Sequence, residues 1–203
     1  LAIVATGYCG VGPRIYRKVD GLLPWSTVWA LGPGLFGQHL SRMYYRRQCR
    51  AWDEVTPHVW IGSALREREA CAAVAAGVTA VLDVTAEFSA PRAFRALTYR
   101  NIQVLDLTAP TFEQLQAMSA LIHAQSARGI VYVHCKIGYS RSAAAVGAYL
   151  LSSGGAKDVD EVLASLRSAR PSIVVRPEIR TALADFQARM PDLVLASRDA
   201  SPL

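Results

Sequence analysis

Residues 130–142 have the sequence IVYVHCKIGYSRS, and this stretch decides the fold of the chain. Its first half is a run of β-branched and other apolar residues, which is typical of a buried strand in a parallel sheet. The run breaks at Gly138, and residues 143–150 read AAAVGAYL, which predicts a helix. Cys135 therefore lies where a buried strand changes into a loop that leads into a helix.

The loop between this strand and this helix has the features of an anion site. A turn of this kind directs its backbone N–H groups toward one point, and the N-terminus of the following helix adds positive potential. We expect the anion to be phosphate, because Arg141 follows Cys135 by six positions and can donate to two phosphate oxygens. The residues expected to bind it are Lys136, Ile137, Gly138, Tyr139, Ser140 and Arg141.

The same loop activates the cysteine. Backbone dipoles, the helix end and the guanidinium all favour the thiolate, so the pKa of Cys135 is expected below the free-cysteine value of about 8.5. A thiolate that faces a bound phosphate is a nucleophile in position. The alternative interpretation is an inert buried cysteine beside a surface arginine, and the surrounding strand and helix count against it.

His134 and Cys135, followed by five residues and then Arg141 and Ser142, resemble the signature of the cysteine-dependent protein tyrosine and dual-specificity phosphatase superfamily. The resemblance implies an α/β fold with a mostly parallel central sheet that is flanked by helices on both faces. It also implies that Ser142 donates to the cysteine sulfur and helps it leave in a second step. His134 then orders the loop and tunes the thiolate.

The chain from Trp52 onward fits this architecture. Besides the strand before the loop, we predict strands at residues 58–62, 78–84 and 102–105, and helices at residues 64–76, 111–128, 143–150, 157–169 and 177–189. Thr111 is the expected N-cap of its helix, and residues 85–97 are expected to form a loop with a helical piece. Strands that alternate with helices imply a parallel sheet covered on both faces.

Two further stretches resemble one subfamily. Residues 77–87, GVTAVLDVTAE, and residues 173–177, IVVRP, are most similar to the mitochondrial-type phosphatidylglycerophosphate phosphatases and their bacterial relatives. Lys136, directly after the cysteine, is also the choice of several lipid-directed members. Residues 138–142, however, equally resemble small dual-specificity protein phosphatases, so the loop leaves lipid and protein substrates open.

Phosphate ester cleavage also needs a group that protonates the leaving oxygen. Asp106 ends a predicted strand at the carboxyl edge of the sheet, where α/β proteins place their ligands. In the resembling superfamily the general acid lies on the loop before the helix that precedes the signature strand, and this position corresponds to Asp106. Asp83 and Glu87 are the alternatives, and we interpret Asp83 as structural because it lies inside an apolar run.

The implied mechanism has two displacements. Cys135 takes the phosphoryl group while Asp106 protonates the leaving alkoxide, and a water activated by the same carboxylate then hydrolyses the cysteinyl-phosphate. Neither a metal nor another cofactor is expected.

The first quarter of the chain differs from the rest in charge. Residues 1–51 contain seven Lys and Arg and one acidic residue, whereas residues 52–203 contain fifteen of each, so the net charge of +6 comes from this segment. Residues 1–13 and 21–41 carry no charged side chain, and each stretch precedes a basic cluster. Residues 1–13 are shorter than the about 20 apolar residues that span a bilayer, unless they end a longer segment.

Residues 21–41 are long enough to span, but two prolines and four glycines argue against one straight helix. We therefore predict an interfacial or re-entrant segment that associates with an anionic membrane, with Trp25, Trp29 and Phe36 at headgroup depth. An arm packed on the catalytic domain is the alternative. No nucleic-acid partner is expected, because the basic residues frame apolar stretches instead of lining a binding module.

The predicted organisation is an N-terminal segment at residues 1–51, a catalytic domain at residues 52–190 and a C-terminal tail at residues 191–203. Cys9, Cys49, Cys71 and Cys135 are scattered, which indicates a reducing compartment such as the cytoplasm. Cys71 could trap an oxidised Cys135, but a buried, alanine-like cysteine is the simpler interpretation.

Three functions remain open. The first is hydrolysis of a phosphate monoester on a membrane phospholipid, with a phosphatidylglycerophosphate or phosphoinositide head group. The second is a protein phosphatase that acts on phosphotyrosine or phosphoserine/threonine. The third is a phosphate-binding module without turnover.

Overall fold

A five-stranded sheet forms the centre of the protein, in a computed structural model that describes residues 2–199. Its strands are β1 (Trp52–Thr56), β2 (Val59–Ser63), β3 (Val78–Thr85), β4 (Thr98–Val104) and β5 (Ile130–Cys135). They lie in the order β1-β2-β5-β3-β4, with β1 antiparallel to β2 and all other pairs parallel. The predicted α/β fold with a mostly parallel central sheet is confirmed.

Helices cover both faces of this sheet. Within the described residues the α-helices are α1 (Ala2–Thr6), α2 (Trp25–Arg46), α3 (Glu67–Ala75), α4 (Arg92–Arg95), α5 (Phe112–Ser126), α6 (Arg141–Ser152), α7 (Val159–Ala169) and α8 (Pro177–Asp199), and a π-helix (Gly7–Val11) and a 3₁₀-helix (Gly12–Tyr16) follow α1. Side chains that alternate along a strand face opposite sides. Ile61, Leu82 and Val133 accordingly join the core formed with α5 to α8, whereas Trp60 and Tyr132 pack with α3 and α4.

Most element boundaries follow from local signals. Thr111 caps α5 as predicted, since its hydroxyl accepts from Gln114 N at 3.3 Å and the Gln114 side chain accepts from Thr111 N at 3.0 Å. Strand β1 is absent from the prediction, because Trp52–Thr56 is a short edge strand that depends on pairing with β2. Helix α8 runs past its predicted end at Arg189, and residues 200–203 of the predicted tail lie outside the described residues.

The position of Cys71 differs from the prediction. The cysteine lies on α3 and is exposed, so the prediction of a buried residue there is wrong. The helix is rich in alanine, and alanine spacing alone does not distinguish its inner from its outer side.

The N-terminal segment also differs from the prediction. Instead of an interrupted, re-entrant structure, α2 is one continuous helix that includes Pro33 and begins directly after Pro24. A proline inside a helix costs about 3 kcal/mol and each glycine about 1 kcal/mol. Tertiary packing offsets this cost, because Leu31 is buried in a small core with Tyr16 and Leu105. Among the described helices, none combines the length and the hydropathy needed to cross a bilayer.

A buried ion pair anchors the chain just before α2. The Lys18 ammonium lies 2.6 Å from Asp83 Oδ2 and donates to Thr85 O at 3.0 Å, with the side chains of Lys18 and Asp83 essentially excluded from solvent. The Tyr99 hydroxyl donates to Asp83 Oδ2 at 2.6 Å. Burial by itself raises the pKa of Asp83, but the Lys18 ammonium outweighs it and holds this pKa well below its usual range.

A second anchor lies at the other end of α2. The Arg46 guanidinium donates to both carboxylate oxygens of Glu69 on α3, at 3.0 Å for Oε2. The buried Arg42 donates to Ala64 O at 3.3 Å. Both arginines belong to the basic cluster that follows residues 21–41. In the structure they bind groups within the protein. The segment is therefore anchored to the rest of the protein near both ends of α2.

Candidate active site

Cys135 ends β5, and its thiol is enclosed by the first residues of the following loop and helix. Its side chain is 3% exposed. Gly138 N donates to Cys135 Sγ at 3.3 Å, and the Ser142 hydroxyl lies 3.4 Å from the same sulfur. The loop thus closes around the sulfur, as the spacing of the motif predicts.

The surroundings of Cys135 favour its thiolate. Burial alone raises the pKa of the thiol, because desolvation disfavours the charged form. The Arg141 guanidinium, the Ser142 hydroxyl and the backbone N–H groups of Ser142 and Gly138 outweigh this effect. The pKa of Cys135 is therefore lowered from its ordinary value, as expected for a reactive cysteine.

Arg141 is held by a buried carboxylate. Its two terminal nitrogens donate to Glu87, at 3.1 Å for Oε2 and 2.7 Å for Oε1, and one of them also donates to Val104 O at 2.8 Å. Burial lowers the pKa of Arg141, but the carboxylate of Glu87 outweighs it and raises this pKa. Glu87, the alternative general acid of the sequence analysis, is 2% exposed and holds the guanidinium of Arg141.

Asp106 lies beside Arg141 at the mouth of the site. Its Oδ1 accepts from Arg141 at 3.0 Å, and its Oδ2 accepts from the Lys136 ammonium at 3.2 Å. Lys136 in turn donates to Gln38 Oε1 on α2 at 2.6 Å. The carboxylate is 20% exposed and can therefore meet a bound substrate.

The loop is braced from behind by groups that the sequence did not reveal. Arg170 is fully buried and donates to the carbonyls of Ile137, at 2.9 Å, and Gly138, at 3.1 Å, while it pairs with Asp53 at 2.5 Å. Gly138 has a φ of 84°, and a Cβ there would lie 2.6 Å from the carbonyl of Gly62. Only glycine fits this position without strain.

His134 lies on the other side of β5 from the cysteine. Its ring packs against Phe94 and Tyr132, with centroids 6.0 and 5.5 Å away, and its Nδ1 is 3.9 Å from Asp83 Oδ1. Burial lowers the pKa of His134 and outweighs the opposing effect of Asp83. The imidazole is therefore neutral at ordinary pH.

A pocket of about 750 Å³ opens above Cys135. Its floor includes five of the predicted phosphate-loop residues, namely Lys136, Ile137, Tyr139, Ser140 and Arg141. Gly138 and Ser142 lie beneath this floor, where they contact the sulfur. The structure thus brings all the predicted site residues together, with His134 behind them.

One wall of the pocket comes from the N-terminal segment. The lining residues of this wall are Val4, Tyr16, Gly34, Gly37, Gln38, Ser41 and Tyr45. The Tyr8 hydroxyl also donates to Asp106 O at 3.0 Å. No motif marks these residues in the sequence, because each contact joins parts of the chain that are far apart, such as Gln38 and Lys136 with a separation of 98 residues.

Comparison with known proteins gives a consistent assignment. Residues 59–189 match the family described as dual specificity phosphatase, catalytic domain. Dual specificity protein phosphatase 2 from Mus musculus is 35% identical over 103 residues, which are 49% of this chain and 32% of that protein. The tyrosine-protein phosphatase cdcA from Emericella nidulans is 31% identical over 106 residues, 50% of this chain and 18% of that protein. The chain spans about a third or less of the length of these two relatives, 32% and 18%.

Solved structures share the fold. The structure of PTPMT1 covers 71% of this chain and 99% of its own with a TM-score of 0.62, at 22% identity. The active form of Tk-PTP covers 69% of this chain and 98% of its own with a TM-score of 0.62, at 25% identity. The resemblance read from the signature is thereby confirmed. Since the matching family covers most of its length, the chain belongs to the dual specificity phosphatase family and carries the catalytic domain of a cysteine-dependent phosphatase.

Proposed function

We propose that this phosphatase removes a phosphate monoester from the head group of a membrane phospholipid. The observation that carries the proposal is the two-sided character of α2. One side of this helix lines the active-site pocket, and another side exposes large apolar residues to solvent. We call these residues the apolar stripe: Trp25, Trp29, Phe36, Leu40 and Tyr44.

The apolar stripe has the composition of an interfacial helix. Trp25, Trp29 and Phe36 are 77%, 81% and 63% exposed. Their spacing of four and seven residues puts them on one side of the helix, opposite the buried Thr27 and Leu31. Soluble proteins rarely expose large contiguous apolar patches, and aromatic residues are favoured at headgroup depth. Burial of this stripe in a bilayer would bring the pocket to the lipid surface.

Basic residues near α2 add an electrostatic contribution. Arg47 and Arg50 follow the helix and are exposed, whereas Lys18 and Arg42 are buried in contacts within the protein. An exposed arginine near an anionic surface contributes on the order of 1 kcal/mol to binding. The apolar stripe is therefore the larger part of the proposed membrane affinity.

The pocket suits a polar head group on a lipid. Lys136 and Arg141 provide a cationic floor for phosphate, and Gly34, Gly37 and Ser41 leave space above it. A glycerol or inositol head group is compact enough for a pocket of about 750 Å³. PTPMT1, which has the same fold, was solved in complex with PI(5)P, and this supports a phosphoinositide as one of the substrates to test.

The proposed chemistry follows the two displacements described above. The Cys135 thiolate attacks phosphorus, the P–O bond to the leaving group breaks, and protonated Asp106 gives its proton to the departing oxygen. A water that loses a proton to Asp106 then attacks the cysteinyl-phosphate and releases inorganic phosphate and the thiolate. The 3.4 Å contact with Ser142 supports its role in stabilising the departing sulfur. The loop from Lys136 to Arg141 binds the phosphoryl oxygens throughout.

This chemistry also bears on where the protein works. A thiolate nucleophile must stay reduced, so we propose a membrane surface that faces a reducing, cytoplasm-like compartment.

A protein phosphatase is the second candidate. The observation in its favour is that the curated relatives named above are protein phosphatases, by their names. A phosphate-binding module without turnover is less well supported, because Cys135, Arg141 and Asp106 lie together in one pocket.

A substrate comparison tests the proposal. The full chain is assayed on phosphatidylglycerophosphate and on a phosphoinositide in anionic vesicles, on a phosphotyrosine peptide, and on a soluble aryl phosphate. We expect a lipid to be the best substrate and the protein to co-sediment with the vesicles. Preference for the peptide without vesicle binding would support the protein phosphatase. Phosphate binding without any hydrolysis would support the phosphate-binding module without turnover.

A further inference from the structure

The segment before β1 reaches the proposed general acid once directly and once through Lys136. The Tyr8 hydroxyl donates to the main-chain oxygen of Asp106 at 3.0 Å. Gln38 Oε1 accepts from the Lys136 ammonium at 2.6 Å, and that ammonium donates to Asp106 Oδ2 at 3.2 Å. One contact therefore fixes the backbone of Asp106, and the other fixes its carboxylate through Lys136.

The hydrogen-bond inventory of Arg141 shows why this support matters. A guanidinium has five N–H donors, four of them on its two terminal nitrogens. Glu87, Val104 and Asp106 accept from these terminal nitrogens in four contacts. The Nε–H is the donor that the described contacts leave open to a phosphate. Of the two carboxylates that hold the terminal nitrogens, Asp106 is 20% exposed and Glu87 only 1%, so Asp106 is the acceptor that a second phosphate oxygen can replace.

Apart from Arg141, Lys136 is the hydrogen-bond partner of the Asp106 carboxylate among the described residues. Lysine is a point charge on a flexible stem, so its position depends on its other partner. Gln38 supplies this partner from α2, which is held at one end by the Lys18–Asp83 pair just before it and at the other by Arg46 and Glu69. Lys136 is thus held between a fixed helix and a movable carboxylate.

The backbone next to Asp106 needs support as well. Leu107 has a φ of 65°, a left-handed conformation that is strained for a residue other than glycine. Its side chain is 64% exposed and gains little from packing. The Tyr8 hydrogen bond to the preceding carbonyl is one of the contacts that hold this turn.

We propose that Gln38 and Tyr8 are positioning residues that hold Asp106 over the leaving group during catalysis. Neither residue touches the reacting atoms, since Gln38 acts through Lys136 and Tyr8 acts through the main chain of Asp106. The proposal rests on the proposed function in one respect, the role of Asp106 as general acid. It makes the N-terminal segment part of the catalytic apparatus, independently of whether that segment binds a membrane.

The test uses two soluble substrates, an alkyl phosphate and an aryl phosphate, so that membrane binding has no influence. An alkoxide needs a proton to leave, whereas a phenolate needs it much less. Gln38→Leu removes the acceptor of Lys136 and is expected to lower kcat about tenfold on the alkyl phosphate, with a much smaller loss on the aryl phosphate. Tyr8→Phe is expected to act in the same direction with a smaller effect.

Two further variants separate positioning from general damage. Gln38→Glu keeps an acceptor oxygen for Lys136 and is expected to retain most of the wild-type kcat on the alkyl phosphate, while its added negative charge raises KM for both anionic substrates. Gly32→Ala lies on the same helix, outside the pocket lining, and its added Cβ meets no atom within 4 Å. This control is expected to match the wild type on both substrates. Equal losses on both substrates in Gln38→Leu, or equal losses in Gln38→Leu and Gln38→Glu, would overturn the proposal.

Asp106→Asn distinguishes this inference from the function on which it rests. If Asp106→Asn lowers the alkyl rate far more than the aryl rate, while Gln38→Leu and Tyr8→Phe change neither, only the positioning role is wrong. If Asp106→Asn shows no such difference between substrates, the general acid assignment itself is wrong.

Discussion

The phosphate loop and the N-terminal segment face the same pocket, but they are held in different ways. The loop is enclosed, with Cys135 and Arg141 at 3% and 2% exposure and with Glu87 and Arg170 behind it. The N-terminal segment is held mainly near the ends of α2, by Lys18 with Asp83 and by Arg46 with Glu69. Between these anchors, α2 divides its sides between the pocket and solvent.

This difference separates two requirements of catalysis. A nucleophile and the donors that stabilise a transition state must be fixed before the substrate arrives, and a loop that is enclosed and braced by buried side chains achieves this. The pocket wall formed by α2 instead has to leave space for the substrate, and its opposite side remains exposed to solvent. Substitutions in the loop and in the N-terminal segment are expected to separate the two requirements, with the largest effect in the loop.

The largest effect is expected for Cys135→Ser. The serine hydroxyl is a far weaker nucleophile, so turnover should fall below about a hundredth of the wild-type rate. Phosphate binding should persist, because the backbone N–H groups and Arg141 remain. Phosphate affinity and turnover are measured on the same preparation. Substantial residual turnover would indicate another nucleophile and would contradict the catalytic role of Cys135.

The next effect concerns the anchor of the N-terminal segment. Lys18→Met leaves the Asp83 carboxylate buried without its cation and should cost about 3–5 kcal/mol of unfolding free energy, measured by denaturant titration. The double variant Lys18→Met with Asp83→Asn should recover part of this loss. An unchanged stability in Lys18→Met would mean that the segment is only loosely attached.

The same anchor has a defined pH dependence. The folded-state pKa of Asp83 is depressed, so the pair stabilises the protein above the unfolded carboxyl pKa of about 3.9. This contribution is lost as the pH falls below that value toward the folded-state pKa. The stability difference between wild type and Lys18→Met should therefore shrink below about pH 4.

A smaller effect is expected on the outer side of α2. Trp29 is 81% exposed, and Trp29→Ala should weaken vesicle binding about tenfold while leaving the unfolding free energy unchanged. Val19→Ala is the matched control, since Val19 is 67% exposed but lies outside α2. Added salt should weaken wild-type binding only partly, because burial of the apolar stripe is not screened. Equal losses in the two variants would contradict a specific role of the stripe.

The smallest effect is expected for a substitution in the loop, Ser142→Ala. The Ser142 hydroxyl lowers the pKa of Cys135, so Ser142→Ala should shift the pH midpoint of Cys135 alkylation upward. Release of the enzyme from the cysteinyl-phosphate should also slow severalfold, seen as a burst before steady state. An alkylation midpoint equal to that of the wild type would show that the hydroxyl does not act on the sulfur.

Much of the fold follows from local sequence. The apolar runs that became β3 and β5, and the Thr111 cap of α5, need only neighbouring residues for their assignment. Strand β1 and the continuity of α2 through Pro33 could not be assigned in this way. In both cases pairing or packing with distant residues offsets a weak local preference.

The site divides in the same way. The spacing from Cys135 to Ser142 sets the geometry of one loop, and a loop of seven residues has few ways to close around an anion. Glu87 was visible only as an acidic residue near a strand end, and its position against Arg141 depends on the order of the strands. Gln38 and Tyr8 carried no signal, because the contacts they make join residues 98 positions apart.

The sequence by itself therefore determined the loop that carries Cys135 and Arg141 and the sheet that presents it, because these depend on short-range spacing and on periodic burial. Only the tertiary structure decided that residues before Trp52 form a wall of the active site. It also decided that Lys18 and Arg42 are buried and bind groups within the protein. The physical reason is that the composition of a segment shows only how apolar or basic the segment is. Which side of a helix meets the core, the pocket or solvent is decided by long-range packing and by the partners that buried charges require.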